Sequence, residues 1–221
     1  MAKRLVILID PDKRPDDGVL PYLDKFDYVF VGGSTAHSAA EMVRYIKQHT
    51  STPVVLFPGS LSQFTPEADA ILFLTLMNSR DSRLLIEQHI AAASVIHESS
   101  MKVVPMGYIL IDGGTLSAVA RTTSCSVLER GDSAGVCRLA LTAELLGKQC
   151  VYLEAGSGAL APVPLQIIED VRRTISLPII VGGGIRTPEQ VRAAWQAGAD
   201  IVVIGNHFEE HPESIPYFFD D

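Results

Sequence analysis

The sequence is poor in cysteine, in basic residues and in long apolar runs, and each shortage excludes a class of protein. Its three cysteines, Cys125, Cys137 and Cys150, are odd in number and follow no CxxC or Cys/His metal-binding spacing. We interpret them as reduced thiols. With 18 basic against 26 acidic residues, the chain offers no Lys/Arg stripe for a nucleic-acid backbone. Anionic small ligands are still compatible with this charge, because backbone N–H groups bind them.

No apolar run approaches the roughly 20 residues that a membrane-spanning helix needs. Basic residues precede the apolar residues 5–9, which gives the start a superficial likeness to a signal peptide. That run is shorter than the roughly 7–15 apolar residues of a secretory signal. The sequence therefore predicts a cytoplasmic protein.

Short runs rich in Val, Ile and Leu recur along the chain and end in Gly, Pro, Asp or Ser. They predict strands at residues 5–9, 28–31, 54–57, 70–76, 103–111, 150–153, 178–181 and 201–204. Runs of this kind, without polar alternation, are typical of parallel strands covered on both faces. Helical patterns lie between them, at residues 36–49, 82–98, 133–146, 164–174 and 188–197.

Strands that alternate with helices over 221 residues predict an α/β fold: one (β/α)8 TIM-type barrel domain covering residues 1–221. A doubly wound sheet is the alternative, although it usually has fewer strands. Residues 58–69, PGSLSQFTPEAD, contain two prolines and no helical period. We therefore expect the barrel to lack a regular third helix, which would leave a groove. The helix over residues 82–98 is predicted to bury Leu85, Ile86, Ile90, Ala93 and Ile96.

Glycine-rich segments follow the last three predicted strands. The sixth strand leads into EAGSG, the seventh into GGGIRTPE and the eighth into GN. In barrels of this type the loops after strands seven and eight often bind phosphate, because glycine lets backbone N–H groups approach the anion. Glu154 is a carboxylate at the end of an apolar strand, which favours a functional role. The alternative is a structural ion pair with a neighbour such as Arg186.

The ends of the first two predicted strands carry oxygen ligands suited to a hard cation. Asp10 lies within LIDPDK, directly after the first predicted strand, and Ser34 ends VGGS. Mg²⁺ typically takes one or two protein oxygens with substrate phosphates and water. Asp-Pro-Asp is also a common turn, and Ser34 could simply cap the following helix. Lys13 could contact a diphosphate, although a lysine in a turn is usually only solvated.

The set LIDPDK, VGGS, LFPGS, GYILI, YLEAGSGA, GGGIR and IGN resembles the geranylgeranylglyceryl phosphate synthase family, which is related to the bacterial heptaprenylglyceryl phosphate synthases. The matches run from residue 8 to 206, and YLEAGSGA with GGGIR and GN is rather specific. LIDPDK with EAGSGA is more similar to the geranylgeranyl branch. The heptaprenyl enzymes often carry a lysine where this chain has Leu8.

The resemblance implies a Mg²⁺-dependent prenyltransferase that joins sn-glycerol 1-phosphate to a prenyl diphosphate, most simply geranylgeranyl diphosphate. It also implies a barrel without its third helix and a homo-oligomer, either dimer or hexamer. We expect no membrane span, and at most a transient membrane contact during product release. The family assigns Mg²⁺ to the positions of Asp10 and Ser34. It assigns the glycerol phosphate to the positions of Tyr152, Leu153, Glu154, Ala155, Gly156, Ser157, Gly158, Gly183, Gly184, Gly205 and Asn206.

We expect Glu154 to be the catalytic residue, as the base that takes the proton of the attacking hydroxyl. Phe57, Phe64, Tyr108 and nearby aliphatic side chains are predicted to line a trough for the prenyl chain, in the gap left by the missing helix. Two alternatives stay open: another phosphate-binding barrel enzyme, and a barrel without catalytic activity that binds a phosphorylated metabolite.

Overall fold

Eight parallel strands close into a barrel, with helices between most of them. This is a computed structural model, which describes residues 2–13, 15, 17–33, 39–115 and 125–219. The strands are β1 (Arg4–Ile9), β2 (Tyr28–Val31), β3 (Val54–Leu56), β4 (Ala70–Leu76), β5 (Lys102–Leu110), β6 (Cys150–Glu154), β7 (Ile179–Gly182) and β8 (Ile201–Ile204). The helices are α1 (Ala40–Lys47), α2 (Gln88–Glu98), α3 (Ser133–Leu145), α4 (Leu165–Thr174), α5 (Pro188–Ala197) and α6 (Asn206–Glu210).

The strand order is the chain order, and β8 closes the barrel on β1. Their register pairs Arg4 with Ile201 and Ile7 with Ile204. The predicted TIM-type barrel is confirmed, and strands β2, β4 and β8 have the predicted bounds. The other strands differ from prediction by one residue at one or both ends.

Successive residues of each strand belong to two different apolar cores. In β1, Val6 packs in the inner core, which is built from residues of all eight strands, while Leu5 and Ile7 pack in the outer core with the helices. Because side chains alternate along a strand, one side fills the barrel and the other holds the helical ring. The near-continuous apolar runs in the sequence reflect this double burial.

The expected gap in the helical ring is present between β3 and β4. The described chain there contains one 3₁₀ turn, Leu61–Gln63. Gln63 is buried, its amide donates to the carbonyl oxygen of Gly33 at 3.1 Å, and its Oε1 accepts from the N–H of Gly59 at 2.7 Å. One buried amide thus ties the short connection to the end of β2.

The helix after β4 differs from prediction in the face that it buries. It begins with a π turn, Arg83–Glu87, and continues as α2. Ile96 is buried as predicted, but Ile86 and Ile90 are 53% and 68% exposed. A π turn holds more residues than an α turn, so the residues that follow it are rotated about the helix axis and different side chains point to the core. Within the described ranges, no helix has both the length and the apolar character needed to cross a bilayer.

Candidate active site

A cavity of about 270 Å³ opens at the carboxyl ends of the strands, and we call it the mouth cavity. The loops after β6, β7 and β8 form one side of it, the glycine rim. The rim residues that line the cavity are Glu154, Gly156, Ser157, Gly158, Gly183, Gly184, Ile185, Arg186, Gly205 and Asn206. The ends of β1 and β2 form the opposite side with Asp10, Lys13, Gly32 and Gly33. The topology therefore brings the two predicted ligand sites to one cavity.

Glu154 is the last residue of β6 and is only 6% exposed. Burial raises the pKa of its carboxyl group to about 7, although the N–H of Gly156 and the hydroxyl of Tyr152 both act to lower it. The Gly156 N–H donates to Oε1 at 2.6 Å. A carboxylate with a pKa near 7 can accept a proton at neutral pH and release it again.

Arg186 does not pair with Glu154. Its guanidinium group donates instead to the carbonyl oxygens of Gly184 at 3.2 Å and Ala159 at 2.6 Å. Among the described residues, Glu154 forms no ion pair. The structural alternative of a Glu154–Arg186 pair is therefore absent.

The glycines of the rim are required by the backbone and by close packing. Gly156, Gly158, Gly183 and Gly184 all have positive φ, between 71° and 103°, a region that other residues rarely adopt. A β-carbon on Gly184 would also lie 2.7 Å from the carbonyl oxygen of Ala161. At these glycines the rim consequently presents backbone, rather than side chains, to the cavity.

A side-chain hydrogen bond joins two loops of the rim, and a capping box orders the third. Ser157 Oγ donates to Oδ1 of Asn206 at 2.9 Å, which joins the loop after β6 to the loop after β8. The loop after β7 ends in a capping box, in which Thr187 accepts from the N–H of Gln190. Such a box satisfies the first backbone donors of a helix and fixes the chain that enters it.

Two residues of the predicted binding segment face away from the mouth cavity. Leu153 and Ala155 are buried in the outer core, so only their backbone atoms could reach a ligand. Tyr152 lines the cavity and stacks on Phe57, with their ring centroids 5.2 Å apart. Strand alternation explains the difference, since Tyr152 and Glu154 share one face of β6.

The Asp10 carboxylate fits a Mg²⁺ ligand. It reaches the end of β2, where a β-carbon on Gly33 would lie 2.9 Å from its Oδ1, and Oδ1 accepts from the N–H of Asp12 at 3.0 Å. Ser34 lies outside the described residues. The described part of the chain holds no group of three or more His, Cys, Asp or Glu side chains that could bind a metal alone. A Mg²⁺ site completed by substrate phosphates does not need one.

The remaining wall of the mouth cavity is apolar. Of the three residues predicted to line a trough, Phe57 and Tyr108 line it, whereas Phe64 packs against the outer core. The prediction for Phe64 was wrong because the 3₁₀ turn places it beside the helices. The aliphatic residues expected beside them, which the sequence did not identify, include Leu74, Leu76 and Leu84. The alternation of β4 could have indicated the first two.

Lys13 and Glu209 both line the mouth cavity and form an ion pair, with Nζ and Oε2 2.9 Å apart. Hydrogen bonding to Glu209 raises the pKa of Lys13, so the ammonium group stays charged at neutral pH. No sequence motif indicates that Glu209 lies at the cavity, because its contact with Lys13 depends on the closure of β8 on β1.

Comparison with known proteins gives consistent matches over nearly the whole chain. The model of the PcrB family matches residues 1–218. A protein named geranylgeranylglyceryl phosphate synthase from Zunongwangia profunda is 45% identical over 213 residues, covering 94% of this chain and 91% of the relative. A protein of the same name from Korarchaeum cryptofilum is 37% identical over 218 residues, covering 96% and 89%.

Solved structures show the same similarity. (S)-3-O-geranylgeranylglyceryl phosphate synthase from Thermoplasma acidophilum, in complex with substrate sn-glycerol-1-phosphate, has a TM-score of 0.87 and 32% identity, covering 99% of this chain and 94% of that one. The wild-type enzyme from Thermoplasma volcanium has a TM-score of 0.88 and 32% identity, covering 97% and 89%. An N-acetylmannosamine-6-phosphate 2-epimerase from Clostridium perfringens, at 15% identity and a TM-score of 0.59, shares the fold alone.

Proposed function

Because the chain belongs to the PcrB family and is a prenyl-transferring enzyme of the geranylgeranylglyceryl phosphate synthase type, we propose that it acts on sn-glycerol 1-phosphate and geranylgeranyl diphosphate. It joins the primary hydroxyl of the first to the prenyl group of the second. The products are an ether and diphosphate. The observation that carries this proposal is Glu154, buried beside the glycine rim with a pKa of about 7.

The glycerol phosphate lies on the glycine rim. Its phosphate accepts hydrogen bonds from the backbone N–H groups of Gly183, Gly184 and Asn206, which no side chain obstructs. The hydroxyls of the polyol face Glu154 and the linked pair Ser157–Asn206. The crystal structure from Thermoplasma acidophilum, which contains sn-glycerol-1-phosphate, supports this choice of acceptor.

Glu154 acts as the general base. The oxygen of the primary hydroxyl forms a bond to C1 of the prenyl group, the bond between C1 and the diphosphate oxygen breaks, and the hydroxyl proton moves to Glu154. A base with a pKa near the working pH is best suited to this transfer, which is worth roughly 10²–10⁴-fold in rate. Burial supplies that pKa here.

The donor occupies the opposite side of the mouth cavity. Asp10, together with Ser34, would hold the Mg²⁺ that the family implies, and the ion would neutralise the charge of the departing diphosphate. The prenyl chain extends from there along the apolar wall of Phe57, Tyr108 and Leu84. The tail is thereby kept out of water, which favours binding by about 25 cal/mol for each Å² of apolar surface removed.

An extraction assay tests the proposal. Purified protein, Mg²⁺ and labelled sn-glycerol 1-phosphate are mixed with geranylgeranyl or heptaprenyl diphosphate, and sn-glycerol 3-phosphate serves as the enantiomeric control. We expect label in the organic phase with the 1-phosphate and geranylgeranyl diphosphate only. Transfer with heptaprenyl diphosphate alone would show that the proposed donor, geranylgeranyl diphosphate, is wrong. Phosphate binding without any transfer would favour a barrel that only binds a phosphorylated metabolite.

A further inference from the structure

The loop after β1 and helix α6 are joined by one carboxylate, that of Glu209. Its Oε2 lies 2.9 Å from Nζ of Lys13, and its Oε1 accepts from the N–H of Asp10 at 3.3 Å. The turn between these residues is closed by the N–H of Lys13, which donates to the carbonyl oxygen of Asp10 at 3.0 Å. Glu209 therefore holds both the backbone of the turn and the ammonium group that the turn carries.

The cation is the accessible member of this ion pair. The side chain of Lys13 is 57% exposed, whereas that of Glu209 is 20% exposed. An ammonium group has three N–H donors, so Lys13 can keep its bond to Glu209 and still donate to a ligand in the mouth cavity. An isolated lysine would have to give up the freedom of four side-chain torsions to reach the same position.

Positive charge is unevenly distributed around the mouth cavity. Among the described residues that line it, Lys13 and Arg186 are the permanent cations. Arg186 belongs to the glycine rim, and its guanidinium group already donates to two carbonyl oxygens. Lys13 is thus the side-chain cation beside Asp10, where the donor's diphosphate binds and where its negative charge grows as the C–O bond breaks.

We propose that Lys13 binds the diphosphate of the prenyl donor and that Glu209 is the residue that positions it. This inference rests on the proposed function. It adds a role for α6, because Asn206 at the start of that helix belongs to the acceptor side while Glu209, one turn later, orders the donor side. Both substrate sites are then aligned by one short helix.

The first test measures the binding of inorganic diphosphate, in the presence of Mg²⁺, to wild type and to Lys13→Met. Hydrogen bonds between charged groups are among the stronger ones, so we expect K13M to weaken diphosphate binding about tenfold. Binding of sn-glycerol 1-phosphate should stay within about twofold of wild type. Lys47→Met is the matched control, since Lys47 forms an ion pair with Asp69 at 2.7 Å outside the cavity.

The second test uses Glu209→Gln, which keeps the size of the side chain and removes its charge. We expect its KM for the prenyl diphosphate to rise several-fold with an unchanged KM for sn-glycerol 1-phosphate. The double variant K13M/E209Q should be no worse than K13M alone, because residues that act through one another are not additive. Glu67→Gln, which disturbs the exposed Arg44–Glu67 pair, is the control.

Equal diphosphate affinity in K13M and wild type would overturn the role of Lys13. A rise in both KM values with a lower melting temperature would reduce Glu209 to a structural link, and additive effects in the double variant would contradict its positioning of Lys13. The extraction assay on wild type tests the proposed function independently of the Lys13 and Glu209 variants. If K13M loses diphosphate binding but wild type transfers no label, Lys13 still belongs to a diphosphate site and the proposed reaction is wrong.

Discussion

A β-carbon at position 183 would lie 2.4 Å from Oε1 of Glu154. Gly183 also has a φ of +83°, which an L-residue adopts only with strain. The same β-carbon would lie 2.7 Å from the backbone nitrogen of Gly156. We therefore expect Gly183→Ala to displace the Glu154 carboxylate and to lower kcat/KM more than tenfold, while reducing the free energy of unfolding by more than the roughly 1–2 kcal/mol of backbone strain alone. Steady-state kinetics and urea denaturation of the same preparation measure both effects.

Gly147→Ala separates the effect of backbone strain from the effect of contact with Glu154. Gly147 has a similar φ of +75°, but a β-carbon there would meet nothing within 4 Å. This variant should lose only the roughly 1–2 kcal/mol of backbone strain and keep its activity. An active G183A enzyme, or an equally inactive G147A enzyme, would show that contact with Glu154 does not matter.

Replacement of Glu154 by glutamine should remove the base and keep the fold. We expect kcat to fall by roughly 10²–10⁴-fold, with a circular dichroism spectrum like that of wild type. The wild-type kcat/KM should rise with pH and level off above an apparent pKa near 7, because only the ionised carboxylate accepts the proton. Turnover by E154Q within threefold of wild type would exclude Glu154 as the base.

The raised pKa of Glu154 also predicts how stability changes with pH. The folded-state value is about 7 against an ordinary value of 4.5, so between these pH values the folded chain holds a proton that the unfolded chain releases. The contribution is fully present below about pH 4.5 and is lost as the pH rises through 7. Its size is at most about 3 kcal/mol.

Urea denaturation at pH 5 and pH 7.5, without ligands, measures this effect as the difference between wild type and E154Q. Histidines titrate in both proteins and cancel in that difference. Wild type should lose stability relative to E154Q as the pH rises. Parallel curves would mean that water reaches the Glu154 carboxyl group well enough to keep its pKa ordinary.

Removal of the Ser157 hydroxyl should weaken the binding of the acceptor, sn-glycerol 1-phosphate, and leave the binding of the prenyl donor unchanged. Ser157→Ala breaks the bond to Oδ1 of Asn206 and unlinks the loops after β6 and β8. The net value of such a hydrogen bond is about 1 kcal/mol, so we expect a several-fold higher KM for sn-glycerol 1-phosphate and an unchanged KM for the prenyl diphosphate. Ser62→Ala serves as control, because Ser62 is exposed and its side chain bonds only to Ser60 among the described residues. Changes in both KM values would contradict this assignment.

The sequence alone could predict the barrel and the position of Glu154. Buried parallel strands are apolar throughout, so their runs stand out, and their carboxyl ends must meet at one edge. The EAGSG, GGGIR and GN segments therefore had to meet at the mouth without any side-chain detail. The missing third helix followed from two prolines in a short interval.

Features that depend on local winding or on side-chain reach could not be predicted. The apolar spacing of the sequence does not distinguish the π turn Arg83–Glu87 from an α turn. Ile90 was therefore expected to be buried, but it is exposed. The link from Glu209 to Lys13 joins residues that are 196 positions apart and exists only because the barrel closes. Phe57 ends the third predicted strand, whereas Phe64 lies in the connection that follows it, where no periodicity says which way a side chain faces.

The closure of β8 on β1 has a consequence for how the protein is made. Asp10 directly follows β1, and Gly205 and Asn206 directly follow β8, so the two proposed substrate sites are held together by the first and last strands of the barrel to be synthesised. Pairings so distant in sequence form late and slowly in folding. A nascent chain that has exposed only seven strands therefore contains no complete catalytic site, and the appearance of activity during synthesis would report closure of the barrel itself.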